Sequence, residues 1–579
     1  MSKWSIDDSR RLYGINGALK RRFLDIDDDG YFVIRVGNHS IRVKELLEKH
    51  GLVGAYIRVL PYIRYLMDRV YSVFTKTLKE YGYRGGFTPV YPLKANNNVL
   101  VVETIYRHGS RYKWGFNLNT LREVEIIERF LESDPRLIVV DGVKSTAILD
   151  KLEKFRKHGW RVVVDIEGER DAELLENYDF ETGIRIKYLS GGEGPWRESV
   201  GLDSKFGLSL TSLYRILKKH DWIYSRTVLL HVHPGSQIHS FKEIYGYFRE
   251  AANMYNQLRE TGFNKLELVD FGGGLAYPYY EYPLGVLEAP DYGLEEYARS
   301  LVKVFTENTD HPSIVFEGGR YITALHRLVV SRVIEVKPYD VYLDDESLSS
   351  ISREVAGIKS IDELEKWVIE KLGKVKKLAE NSHSYSFSER IDIEKLYGAF
   401  NKIVPRKVRE LAGNNHAILA DLLENRVLRD FLVKPSYRFF TAYSIFAHIP
   451  DTIVVNQYFQ VIPAQRLNEE PEVLAVLSDL TCDSMGEYGY FITRGEKLLF
   501  TKLDDKPIEI PGKILRLRGI PLHLPRPGEN YYVVFLDTGA YQDSLAMDHN
   551  SLGGYPEIVV DLVGENLVIS VKPSNNYKY

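Results

Sequence analysis

The sequence predicts an α/β plus β protein: a (β/α)8 barrel, a second β-rich domain formed by both chain ends, and a helical insertion. Three observations carry that expectation. From about Arg84 to Ala324, short β-branched or apolar runs alternate with amphipathic charged stretches, the strand-then-helix rhythm of a parallel sheet. Eight such runs fit into about 240 residues, the count and size of a closed barrel. Outside that stretch the apolar spacing becomes period two, with hairpin turns.

Taken in order, the barrel strands are Thr88 to Lys94, Lys113 to Asn117, Leu137 to Asp141, Arg161 to Asp165, Gly183 to Lys187, Val228 to His233, Leu266 to Phe271 and Ser313 to Glu317. Barrel active sites gather at the C-terminal ends of the strands. Lys94, Asp165, Lys187, His233, Gly272-Gly273-Gly274 and Glu317 each end or directly follow a strand, so they are expected to converge on one face. Tyr31 to Val36 with its Gly37-Asn38 turn, Val473 to Leu480, Tyr531 to Leu536 and Ile558 to Val571 supply the β-rich domain. Between about Asp344 and Leu432, a capping-box pattern at Ser360 and Glu363 accompanies Ile361, Leu364, Trp367 and Val368 at helical spacing. The expected domains are 1–83, contributing to the β-rich domain; 84–335, the barrel; 336–432, the helical insertion; and 433–579, the C-terminal β-rich domain.

Composition narrows the function. The chain has 579 residues, 44% of them hydrophobic, which argues against a disordered or fibrous protein. Lys plus Arg is 76 and Asp plus Glu is 80, so the net charge is −4, with no field to attract nucleic acid or an anionic membrane. A small molecule or another protein is the expected partner. No uninterrupted apolar run of about 18 residues could span a bilayer, and Met1 to Asp8 has no apolar signal core, which points to a soluble cytoplasmic protein. Cys482 is the only cysteine, so an intrachain disulfide and thiolate-rich metal clusters are out, and the thiol is either an inert core residue or a reactive one.

The segment Tyr91-Pro92-Leu93-Lys94-Ala95-Asn96 puts an amine at a barrel mouth. There, desolvation and nearby positive charge would lower its pKa and suit it to Schiff-base chemistry; an ordinary solvated lysine is the other reading. Gly272-Gly273-Gly274 after the seventh strand lets backbone amides surround a phosphate, or simply makes a tight turn. Glu317-Gly318-Gly319-Arg320 adds a carboxylate, flexible backbone and a guanidinium. His231 and His233 share a strand face; with no third ligand at convincing spacing, stacking or acid-base work ranks above metal binding, and no metal ligand is assigned.

As a set, Lys94, His231-Val232-His233-Pro234-Gly235-Ser236-Gln237, the glycine run, Glu317-Gly318-Gly319-Arg320 and the distant Thr481-Cys482-Asp483-Ser484 resemble the fold-type III pyridoxal phosphate decarboxylases, and within them the biosynthetic arginine decarboxylase branch. Ser204-Lys205-Phe206-Gly207 and Gly539-Ala540-Tyr541-Gln542 near His549-Asn550 fall in the same order. The resemblance runs from about Gly30 to the C-terminus. It implies pyridoxal 5'-phosphate held covalently by Lys94, with Glu317 facing the pyridine nitrogen and His233 stacked on the ring. Ser236, Gly272, Gly273, Gly274, Gly319, Arg320 and Tyr541 would bind the phosphate. Val269 to Tyr279 aligns with a substrate-binding stretch, which brings in Tyr279. Cys482 would protonate the former α-carbon, and Asp483 would receive the cationic end of the substrate.

The implied reaction is decarboxylation of L-arginine to agmatine in polyamine biosynthesis. Ornithine, lysine, diaminopimelate or carboxynorspermidine are alternative substrates, and an inactive regulatory homologue is the alternative from another class. The resemblance also implies a homodimer with shared active sites, which could pair into a tetramer, and magnesium enters through it alone. Asn117, where related enzymes usually carry an acid after the second strand, departs from the pattern, as do Ala95-Asn96-Asn97, Pro234, Gly318 and Met485.

Overall fold

The computed structural model describes residues 4–189, 201–280, 289–339, 341, 343–413, 415, 418, 421–422, 425–432, 435–495 and 513–574. Residues 1–3 of the N-terminal segment, and parts of the expected insertion and C-terminal domain, lie outside the described residues.

Eight strands close a parallel barrel: β1 (Phe87–Pro92), β2 (Gly115–Leu118), β3 (Leu137–Val140), β4 (Arg161–Ile166), β5 (Glu181–Arg185), β6 (Thr227–His231), β7 (Leu268–Asp270) and β8 (Ser313–Glu317). The ring shuts between β8 and β1, with Ile314 opposite Phe87 and Glu317 opposite Val90. Val90, Val139, Val163, Leu229 and Val315 belong to one buried cluster of strand residues, so the barrel is filled by branched side chains. The helix Leu60–Glu80 leads into the first barrel strand, burying Leu66, Met67, Val70 and Phe74 on one side, with Phe74 stacked 4.3 Å from Phe87.

The expected strands occur in the expected order, but several end earlier than the sequence suggests. β1 stops at Pro92, so Lys94 occupies a 3-10 turn, Leu93–Ala95; β6 stops at His231, so His233 lies in the following loop. The difference is physical: the apolar run continues past the strand because the turn residues Leu93 and Ala95, and Val232, are buried too.

The long strand Arg327–Pro338 carries the chain from the barrel into the β-rich domain. There it pairs with Gly54–Val59, which pairs in parallel with Glu557–Val563, so both chain ends build this sheet. The early hairpin Phe32–Val36 and His39–Arg42 forms a separate three-stranded sheet with Leu24–Ile26, joined to the main domain through Phe32 N donating to the Ala464 carbonyl. The insertion contains the helices Asp345–Ala356, Ile361–Glu380 and Phe387–Ala412. Ser360 caps the second by accepting from Glu363 N, while the Glu363 carboxylate accepts from Lys359 N instead of from the cap residue. Among the described residues no helix is long and apolar enough to cross a membrane.

Candidate active site

The turn bearing Lys94 is clamped by the C-terminal domain. Ala95 O accepts from Tyr541 N at 2.6 Å, and Lys94 O accepts from Ser544 Oγ at 3.3 Å. Buried Asn96 donates to Gly539 O at 2.8 Å and to Asp543 Oδ2 at 2.7 Å. Gly319 packs against the same turn so closely that an added Cβ would meet Pro92 Cγ at 2.7 Å and Ala95 Cβ at 2.8 Å. Asn96 therefore has a structural role: it ties the lysine turn to the second domain.

The side chain of Lys94 is half-buried and faces acids. Burial by itself favours the neutral amine, but the carboxylates of Asp141 and Glu317 outweigh it, and the ammonium is held above the ordinary lysine range. The expectation of a pKa lowered by neighbouring positive charge is overturned, because β3 and β8 bring negative charges to the nitrogen and Arg185 only partly offsets them.

Behind the lysine, alternate strands supply a layer of buried titratable groups, as inward-facing barrel residues do. His231 of β6 donates from Nδ1 to Asp165 Oδ2 of β4 at 2.6 Å, and its Nε2 lies 3.8 Å from Glu317 Oε1 of β8. Burial disfavours the imidazolium, but Asp165 and Asp270 reverse the balance and push its pKa up to about 9. Burial likewise pushes Glu317 up to about 7. Glu317 Oε1 is buried without a hydrogen-bond partner, and so is His231 Nε2. Such an orphaned acid calls for a polar group to meet it. His231, Asp270 and Glu317 also place three ligand-type atoms within 4.8 Å of one another.

On the other side, His233 Nδ1 accepts from Gly273 N at 3.3 Å, which leaves Nε2 as its N–H, and burial keeps the ring neutral. Gly272 and Gly274 have φ of +59° and +98°, and a Cβ on Gly272 would strike His233 at 1.9 Å, so this approach requires glycine. The guanidinium of Arg320 is buried; it donates to Ser236 Oγ at 3.3 Å and to Tyr279 OH at 3.0 Å, lies 3.5 Å from Asp451 and 4.4 Å from the Tyr541 ring centre. Tyr279, read from the sequence as a substrate contact, thus attaches to the phosphate-side cation, and its carbonyl accepts from the buried Lys20.

Lys187 does not join this group: its ammonium donates to the carbonyls of Leu202 and Ser204. Nor does the Cys482 loop, which among the described residues has no hydrogen bond or ion pair to Lys94, Glu317 or Arg320. Cys482 is exposed, with Sγ 3.6 Å from Asn550 Nδ2, so it is not the inert core thiol that composition allowed. Asp483 Oδ2 lies 3.9 Å from His549 Nε2. Sequence reasoning missed Asp141, Arg185 and Asp451. The signal for Asp141 was its place in Asp141-Gly142 at a strand end; for Arg185 and Asp451 there was none.

The residues fit pyridoxal phosphate: a lysine amine facing acids, an orphaned buried acid, a neutral ring, a glycine cradle and a buried guanidinium stand round one barrel mouth. Residues 67–324 match the family described as "Pyridoxal-dependent decarboxylase, pyridoxal binding domain". The barrel is thus similar to the pyridoxal-binding domain of the pyridoxal phosphate-dependent decarboxylases. The chain's similarity then reaches nearly end to end to one branch. It is 29% identical over 586 residues to the biosynthetic arginine decarboxylase of Bacteroides thetaiotaomicron, covering 96% of this chain and 88% of that protein. The crystal structure of the biosynthetic arginine decarboxylase from Campylobacter jejuni shares the fold at TM-score 0.71 and 22% identity, over 97% of this chain and 90% of that one. Diaminopimelate decarboxylase from M. jannaschi shares it at TM-score 0.60 and 15% identity, over 96% of each chain.

Proposed function

We propose that the protein decarboxylates L-arginine to agmatine and carbon dioxide, with pyridoxal phosphate held at the barrel mouth. One observation carries the reading: Lys94 and the buried acid Glu317 share the barrel mouth of a chain similar over its whole length to biosynthetic arginine decarboxylases. The cofactor, when bound, supplies the sink for the electron pair left on the α-carbon as carbon dioxide departs.

The chain's own residues do the rest. Lys94 would hold the cofactor and yield its place to the substrate amine. Glu317, its proton affinity raised by burial, would share a proton with the ring nitrogen, and the protonated His231 behind it steadies the carboxylate. His233, neutral, would lie against the ring without opposing that proton. Arg320, Ser236, Gly272, Gly273, Gly274, Gly319 and Tyr541 would bind the phosphate. Tyr279 would fix the Arg320 guanidinium.

Cys482 would return a proton to the α-carbon, and Asp483 would take the substrate guanidinium through two parallel charge-assisted hydrogen bonds. Cys482 is exposed and Asp483 half-buried, and we assign them to the active site of a second copy, giving a homodimer with two equivalent shared sites. The reading includes a cytoplasmic location and a supply of agmatine for polyamine synthesis, and no step calls on magnesium.

The test is a substrate panel with purified protein and pyridoxal phosphate, scored by amine product. Agmatine from L-arginine as the main product is expected. Putrescine or cadaverine as the main product would overturn the substrate assignment, and no product from any basic amino acid would overturn the reaction.

A further inference from the structure

Asp141 has no part in the roles assigned above, yet the barrel seats it beside the lysine turn: Asn117, which donates to it at 3.3 Å, pairs with Pro92, two residues before Lys94, and the amine is held charged by this carboxylate more than by any other acid. Its carboxylate is almost wholly buried and held by three donors. Oδ2 accepts from Arg185 Nη1 at 2.7 Å, and Oδ1 accepts from Asn117 Nδ2 at 3.3 Å and from Asn119 Nδ2. A carboxylate so bound stays ionised, and Lys94, Arg185, His231 and Lys144 all hold it below the ordinary range against the effect of burial. Lys94 for its part is faced by Asp141 after β3, Glu317 of β8, Glu123 of the helix Leu121–Ile127, Arg185 of β5, His233 after β6 and Tyr541 of the second domain.

Position 117 matters because its side chain is neutral. On β2, next to β1, Asn117 stands where the family resemblance leads one to expect an acid, and its amide donates across to Asp141. The negative charge at this end of the barrel comes from β3 and not from β2, and the amide at 117 helps hold it.

We propose that Asp141 is a positioning residue for Lys94: its buried carboxylate supplies, from β3, the charge that governs when the lysine nitrogen keeps its proton, in place of a charge at position 117. An amine attacks a carbonyl only after losing that proton, so Asp141 sets how much reactive amine the site presents at a given pH. The proposal rests on Lys94 as the cofactor-holding amine.

The test is trace acylation of the full-length, cofactor-free protein with acetic anhydride near pH 9, reading the labelling of Lys94 relative to exposed Lys49 by mass spectrometry. Removing an opposite charge lowers a pKa by about one unit or more, so Asp141→Asn should label Lys94 about tenfold faster or more. The exchange Asn117→Asp with Asp141→Asn should return the ratio toward wild type, which simple loosening of the site would not do. Asn117→Asp alone adds a second carboxylate and should slow labelling several-fold; it decides the matter if Asp141→Asn does not fold. An unmoved ratio in these variants overturns the proposal. Failure of the underlying reading shows separately, as pyridoxal phosphate that borohydride does not fix to the Lys94 peptide of the wild-type protein.

Discussion

At the barrel mouth, Glu317, Asp165, His231 and Asp141 are almost wholly buried and set one another's charge, whereas Cys482 and Asp483 stand on an exposed loop of the β-rich domain beside Asn550 and His549. The first region is finished within one chain: strands place each group, and burial shifts each proton affinity. The second has the chemistry of a proton donor and a cation acceptor but, with Cys482 exposed and Asp483 only half-buried, little of the desolvation that strengthens such contacts. The contrast teaches where a second surface is needed. A cofactor site can be closed within one chain, by the barrel and the β-rich domain against it, while the substrate side waits for something to cover it.

The largest effect should come from the buried region. Lys94→Ala is expected to abolish agmatine formation and to leave no absorption band that borohydride removes; full activity in that variant would break the assignment of the amine. Next comes the exposed region. Cys482→Ala should bind pyridoxal phosphate and melt as wild type does, yet turn over about 10²-fold to 10⁴-fold more slowly, the usual worth of a positioned proton donor. Normal kinetics with clean amine product would leave the thiol without a role. Asp483→Asn should chiefly raise KM for arginine, by about tenfold to a hundredfold for lost charge-assisted hydrogen bonds. A change confined to kcat would place this carboxylate elsewhere in the reaction.

A smaller effect separates the regions by pH. Glu317 binds its proton up to about 7 in the folded protein against an ordinary 4.5, so the folded state holds more protons between those values. The stabilisation is fully present below the unfolded value and is lost as pH rises through the folded one. Cofactor-free Glu317→Gln should therefore lose less melting temperature than wild type between about pH 4.5 and 7. Parallel curves would show that Glu317 is not the buried acid described.

The barrel was legible because alternation of apolar and charged stretches is a local signal, and Ser313–Glu317 falls where the sequence puts it. Strand ends were harder: burial of Leu93, Ala95 and Val232 extends the apolar run into turns. The charge environment was not legible at all. Lys94 and Asp141 are 47 positions apart in sequence and meet only because the barrel brings their strand ends together. Lys187 looked like a site residue by position, but its loop turns the ammonium to the carbonyls of Leu202 and Ser204. Sequence motifs name candidate groups; tertiary closure decides which of them share a field.

The most direct test of the two-region account mixes variants that are each inactive for a different reason. Lys94→Ala chains and chains carrying Cys482→Ala with Asp483→Ala are unfolded together, refolded with pyridoxal phosphate and assayed for agmatine. If one copy's barrel is completed by the other copy's loop, half the dimers are mixed and each has one intact site, so about a quarter of wild-type activity returns. Activity that stays at the level of the separate variants would contradict a site shared between two chains.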